Sequence, residues 1–189
     1  MATQMSHTIV PSRKRQIARG YPAAVAFCVL LPTAISAQQP LPIPDTLALD
    51  DWGVFAARVA KRLAAPDTSA GFREVPGELT LIQESHDVCA SLGTQFGFRY
   101  HLTGVVPVSE LPLTIRIEHP VFAKWNGGRG AVDTISTDIY PGQLHWTGWA
   151  FRDPTKLVGG TWTFDVMNQG HILLSQQFRV KTGCTVSIS

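Results

Sequence analysis

Apolar side chains recur at every second position in the later part of the chain, and this constrains the fold more than any other feature. The clearest segment covers 94–102, with Phe96, Phe98, Tyr100 and Leu102 on one side and Gln95, Gly97, Arg99 and His101 on the other. Leu113, Ile115 and Ile117 alternate in the same way, as do Trp162, Phe164 and Val166. Period-two alternation means strands with one buried face. Further segments at 79–83, 132–139, 143–151 and 172–180 bring the count to seven. Seven short strands joined by Gly- and Pro-bearing turns imply two antiparallel sheets packed face to face, an all-β, immunoglobulin-like β-sandwich over residues 78–183. Asn168-Gln169-Gly170 supplies the turn of its last hairpin. Residues 184–189 follow as a tail.

Upstream of the sandwich the pattern differs. Arg13, Lys14, Arg15 and Arg19 precede an apolar run from Ala23 to Leu31, then Pro32, then the small residues Ala34, Ser36 and Ala37. This is the layout of a cleaved secretory signal over residues 1–37, with an apolar run too short to span a bilayer comfortably. Export to the periplasm or beyond is expected, with no stable membrane insertion after cleavage. Residues 38–77 read as a proline-rich linker carrying a short helix at about 51–64. Trp52, Phe55, Val59 and Leu63 recur at three- and four-residue steps, which places them on one helical face. That face suits packing on the sandwich or docking to a partner.

Four of the 16 basic residues, and none of the 14 acidic ones, precede Gln38. The remainder is slightly acidic and evenly mixed, which gives no electrostatic reason to expect nucleic acid as a partner. Cys28 lies in the apolar run, leaving Cys89 and Cys184 as an even pair in an oxidising compartment, where a disulfide is the expected state. If successive strands alternate in direction, the start of the second and the end of the seventh share a pole, which would bring the two cysteines near each other.

The segment Leu92-Gly93-Thr94-Gln95-Phe96-Gly97-Phe98-Arg99-Tyr100, the run Arg116-Ile117-Glu118-His119-Pro120, and a closing hairpin carry a family resemblance. The hairpin reads Gly160-Thr161-Trp162-Thr163-Phe164 and then Leu173-Leu174-Ser175-Gln176-Gln177-Phe178-Arg179-Val180. Together they resemble the bacterial family known as domain of unknown function 3859, over roughly Glu78 to Lys181. The resemblance implies an exported immunoglobulin-like domain with no assigned activity, and it bears on neither the cysteines nor the Trp52 segment.

Signatures of catalysis are missing from the sequence. There is no Gly-x-Ser-x-Gly elbow, no phosphate-cradling glycine loop and no His-Glu-x-x-His. His86, His101, His119, His145 and His171 are scattered singly, so neither a metal site nor a cofactor is expected. Asp133, Asp138 and Glu118 would suit glycosidic chemistry only if two of them faced one cleft about 5–10 Å apart, and solvated charge is the simpler reading. Trp125, Asn126 and Arg129, at a glycine-rich loop, suit gripping a sugar or a protein surface. Trp146 and Trp149, three apart in a strand, must face opposite sides, so one belongs to the core and the other is exposed or covered by the Trp52 helix. Trp162 belongs to the core. The expectation is a non-enzymatic interaction or scaffold module whose partner is an envelope protein or a glycan. A carbohydrate-binding module using Trp125 and one of Trp146 or Trp149 is the alternative, and an enzyme of unrecognised type the third reading.

Overall fold

The computed structural model describes residues 47–103 and 110–184. The expected secretory signal, the linker residues 38–46 and residues 185–189 of the expected tail lie outside these. The described residues form nine strands: β1 (Leu47–Ala64), β2 (Phe72–Gln83), β3 (Asp87–Cys89), β4 (Gln95–Leu102), β5 (Leu111–Ala123), β6 (Arg129–Ile139), β7 (His145–Ala150), β8 (Gly160–Asn168) and β9 (His171–Lys181). They make two sheets, ordered β2-β1-β4-β7 and β3-β9-β8-β5-β6. Their apolar faces meet around Phe96, which is fully buried and contacts Trp162, Phe164 and Phe178 edge-on at 5.4–5.7 Å. Edge-to-face contacts let the positive rim of one ring meet the negative face of the next. The β8–β9 turn has φ of 48° at Gln169 and 84° at Gly170, the left-handed pair that matches the twist of a two-residue hairpin.

The helix expected at 51–64 is instead the long strand β1, and the sandwich begins at Leu47 rather than Glu78. Leu47 and Leu49 pair with Leu102 and Tyr100, the register then shifts around Asp50, and Trp52 and Val54 pair with Phe98 and Phe96. The helical spacing of Trp52, Phe55, Val59 and Leu63 links side chains with different surroundings: Trp52 packs on the core, Phe55 lies against Trp146 on the outer face, and Val59 and Leu63 sit beyond the end of the β4 pairing. What decides for a strand is tertiary: β4 needs a partner on each side, and β1 supplies one.

Trp146 and Trp149 do face opposite sides. Trp149 points inward, 5.1 Å from Trp162. Trp146 lies on the outer face against Phe55 at 4.7 Å, so the segment covering it is strand β1, reaching across β4, rather than a helix. Its ring runs flat over Gly97 and Gly148. A Cβ at Gly97 would stand 2.8 Å from the ring and 2.5 Å from the Gly148 Cα, so the platform requires glycine there.

Cys89 and Cys184 form a disulfide, with Cα atoms 5.9 Å apart. The route to it differs from the one drawn on the sequence. β3, absent from the seven-strand reading, runs parallel to β9 and pairs Cys89 with Lys181, three residues before Cys184.

Candidate functional site

β1 and β2 form a hairpin that outruns its sheet. β1 pairs with β4 only as far as Phe55, and Ala57–Ala64 pair with β2 alone. Register shifts at Ala57/Val59 and Val59/Lys61 bend this arm, as bulges do. Its tip, residues 65–71, docks against the opposite sheet. The Trp125 backbone N–H donates to the Ser69 carbonyl at 2.9 Å, and the Trp125 Nε1 donates to the Pro66 carbonyl at 3.1 Å. Thr134 N–H donates to the Asp67 carbonyl, and Lys156 Nζ to that of Ser69. The arm therefore bridges from the β4 sheet to β6.

Between the arm and the two sheet edges β6 and β7 lies a cleft of about 780 Å³. Volumes of about 300–1,000 Å³ are usual for small-molecule sites. Tyr100, Ile115, Ile117, Ile135 and Ile139 line it from the strands, and Val59, Phe72, Pro76 and Leu79 from the arm. Burial pushes the Tyr100 phenol pKa up, so the hydroxyl stays neutral and shares a hydrogen bond with Thr147. The lining includes six cationic side chains (Arg58, Arg62, Arg73, Lys124, Arg152 and Lys156) against the three carboxylates of Glu74, Asp133 and Asp153. Glu74 is shared by two guanidinium groups, Arg62 at 3.0 Å and Arg152 at 3.1 Å. Arg58 is exposed and, among the described residues, has no carboxylate partner.

A buried polar cluster latches the arm tip. Asp133 Oδ1 accepts from the Ser69 N–H at 2.8 Å and from the Ser69 hydroxyl at 2.5 Å. His119 Nε2 faces the same oxygen at 3.5 Å, while Nδ1 donates to the Pro120 carbonyl at 2.9 Å. The His119 ring is held flat on Phe122 at 4.1 Å and beside Trp162 at 5.1 Å. A Ser, a His and an Asp therefore meet, but their wiring is not that of acyl transfer. The hydroxyl donates to the carboxylate instead of to an imidazole nitrogen, and the Asp133 and His119 side chains are fully buried.

Burial works against ionisation of Asp133, but hydrogen bonding from His119 and Ser69 outweighs it and holds the carboxyl below its ordinary value. A lowered native pKa stabilises the fold fully above the unfolded-state value of about 3.9, and that stabilisation is lost as pH falls through the native value. Acid unfolding of the wild type is therefore expected to steepen below about pH 4. In Asp133→Asn that component of the slope disappears, as read from urea midpoints across pH 2.5–6. An unchanged slope in the variant would remove Asp133 as the source.

A family model described as "Domain of unknown function (DUF3859)" matches residues 46–180. The chain belongs to this family. The match starts just before β1 and ends within β9, so the DUF3859 domain includes the arm. An immunoglobulin-like protein from Pseudomonas aeruginosa shares the fold, with a TM-score of 0.55 and 24% identity over 74% of this chain and 100% of that one. An alkylpurine DNA glycosylase from Pseudomonas fluorescens, bound to DNA containing an abasic-site analogue, aligns with a TM-score of 0.29 and 20% identity. That alignment covers 51% of this chain and 28% of the glycosylase, and at such a score the likeness carries no argument. No curated protein matches the sequence.

In this DUF3859 domain, Trp125 and Trp146 of the residues singled out for binding come to one cleft, while Asn126 and Arg129 do not line it. Trp125 is 59% exposed yet holds the arm tip, its ring packed over Gly71. The Asn126 side chain closes its own turn onto the Gly128 N–H. Of the four residues assigned to a docking helix, Trp52 stacks on His86, Phe55 is buried under Trp146, and Val59 and Leu63 ride on the arm. Asp133 is buried and Asp138 exposed, five positions apart in one strand, and Glu118 pairs with Arg116 at 3.3 Å. No two of these three carboxylates face each other across the cleft. Among the described residues no group of three or more His, Cys, Asp or Glu side chains is placed to hold a metal. Reading the sequence missed the arm and the Ser69–Asp133 latch. The signal available was an Asp inside an alternating strand, a place where burial demands a partner.

Proposed function

We propose that this chain is a non-enzymatic binding module of the bacterial cell envelope and that the cleft beneath the hairpin arm is its ligand site. One observation carries the reading: the domain commits a long hairpin, latched at its tip, to roofing an apolar space of ligand size. A pure scaffold gains nothing from such a space, which forgoes packing contacts. The latch wiring supports a role without chemistry, because its serine is tied to a carboxylate. Export fits the basic, apolar and small-residue order of the N-terminus and the disulfide.

The test is thermal unfolding of the exported protein with and without fractionated envelope extract. A fraction holding the ligand is expected to raise the wild-type midpoint by several degrees, since anything that binds only the native state stabilises it. Ile135→Trp and Leu79→Trp, each filling the cleft from a different wall, are expected to show no shift relative to their own midpoints. Equal shifts in wild type and both variants would place binding elsewhere, and no shift with any fraction would overturn the reading.

A further inference from the structure

We propose that the cleft binds a single-chain fatty acid, its acyl chain along the aliphatic walls and its carboxylate at the arginines of the arm. This rests on the reading of the cleft as a ligand site and gives that site a substrate class. The walls argue for a hydrocarbon chain. Ile115, Ile117, Ile135 and Ile139 from the strands, with Val59 and Leu79 from the arm, present branched aliphatic surface, and of the polar groups beside it Tyr100 bonds Thr147 and Thr137 accepts from Arg73. The tryptophan best placed to stack on a sugar, Trp125, is already committed to the Pro66 carbonyl and Gly71. A sugar site would need several free hydrogen-bonding groups around such a ring.

The rim argues for an acid. Cations outnumber carboxylates two to one among the lining residues, and two arginines, Arg58 and Arg73, have no carboxylate partner among the described residues. Glu74, between Arg62 and Arg152, shows the geometry this rim already gives a carboxylate. Planar guanidinium groups favour that shape. At the β6 side Lys124 Nζ lies 3.9 Å from Asp133, so that cation already has a carboxylate, whereas Arg58 and Arg73 have none among the described residues and are left to take an anionic head. One chain, rather than two, matches a space of about 780 Å³.

Calorimetric titration of the full exported protein, stripped of lipid, with octanoate, decanoate and dodecanoate below their micellar concentrations tests this directly. Each added methylene buried is worth about a fourfold fall in Kd, so the three acids are expected to tighten in order. The alcohol of equal length is expected to bind at least tenfold more weakly. The equal-length alkyltrimethylammonium is expected to bind more weakly still. In Arg58→Glu and in Arg73→Glu the acid-to-alcohol ratio is expected to collapse toward one. Equal affinity for acid and alcohol, or tighter ammonium, overturns the carboxylate assignment. A lysophospholipid binding tenfold tighter than the matching acid moves the source to lipid headgroups. Tryptophan fluorescence that responds to soluble oligosaccharides, with no acid bound, replaces the fatty acid with a glycan. If no acid binds while the extract still shifts wild type and not Ile135→Trp, the ligand class fails and the binding module stands.

Discussion

Breaking the Cys89–Cys184 bridge is expected to cost the domain about 4 kcal/mol of stability. The cysteines lie 95 residues apart, so the bond closes a loop that spans most of the sandwich. Cross-linking so long a loop removes more freedom from the unfolded chain than a short one does, and the gain appears as native stability. The folded side adds a local effect. β3 has only three residues and sits at a sheet edge, paired parallel to β9, with Arg179 on Asp87 at 2.8 Å. Without the covalent tie, that short pairing is the first to open. The measurement is the urea midpoint of wild type with and without reductant, and of Cys89→Ser/Cys184→Ser. Reduced wild type and the double variant are expected to agree and to lose several kcal/mol. A loss below about 1 kcal/mol would mean that the unfolded chain is already held compact in that region.

Asp133→Ala is expected to cost about 1–3 kcal/mol for each buried donor that loses its acceptor. His119 would keep its position, stacked on Phe122, but lose the carboxylate it faces, and Ser69 would lose the acceptor of both its N–H and its hydroxyl. Ser69→Ala removes one hydrogen bond to a charged group and is expected to cost about 1.5–3 kcal/mol. A double-mutant cycle is expected to return a coupling of about 1–3 kcal/mol, because the two side chains act through one contact. The loss should also be local: amide exchange along residues 57–64 and 72–80 is expected to speed up before that of β4 or β8. Additive losses with unchanged exchange in the arm would show that Asp133 stabilises the core without latching the arm.

Much of the sandwich was legible because burial imposes a simple rule on strands. Phe96, Phe98 and Tyr100, or Trp162, Phe164 and Val166, alternate without interruption, and each pattern maps onto a central strand. β1 escaped because its apolar side chains serve both faces of the sheet, Trp52 the core and Phe55 the cover of Trp146, so they show no period of two and their spacing is one a helix would use. β3 escaped because three residues are too few to show a period. The pairing of the cysteines followed from their number and the expected compartment, while the parallel neighbour that makes it geometrically simple has no local trace. The site was mostly illegible. Ser69 and Asp133 are 64 residues apart, and nothing near either one announces the other. Trp125 was legible as an interface residue, but its partner is the arm of its own domain.

The parallel pairing of β3 with β9 has a kinetic side. Asp87 and Arg179 meet across 92 intervening steps of sequence, so this edge cannot assemble until almost every other strand is in hand. Contacts between distant segments pay their closure entropy before any return, which slows the chains that depend on them. A protein delivered unfolded across a membrane, amino terminus first, would thus bring β1 to its destination long before β9 arrives to finish the second sheet. During that interval the apolar faces of the paired β1 and β4 would lie uncovered. The final strand would then set how long such a chain stays exposed to proteases and to its own kind.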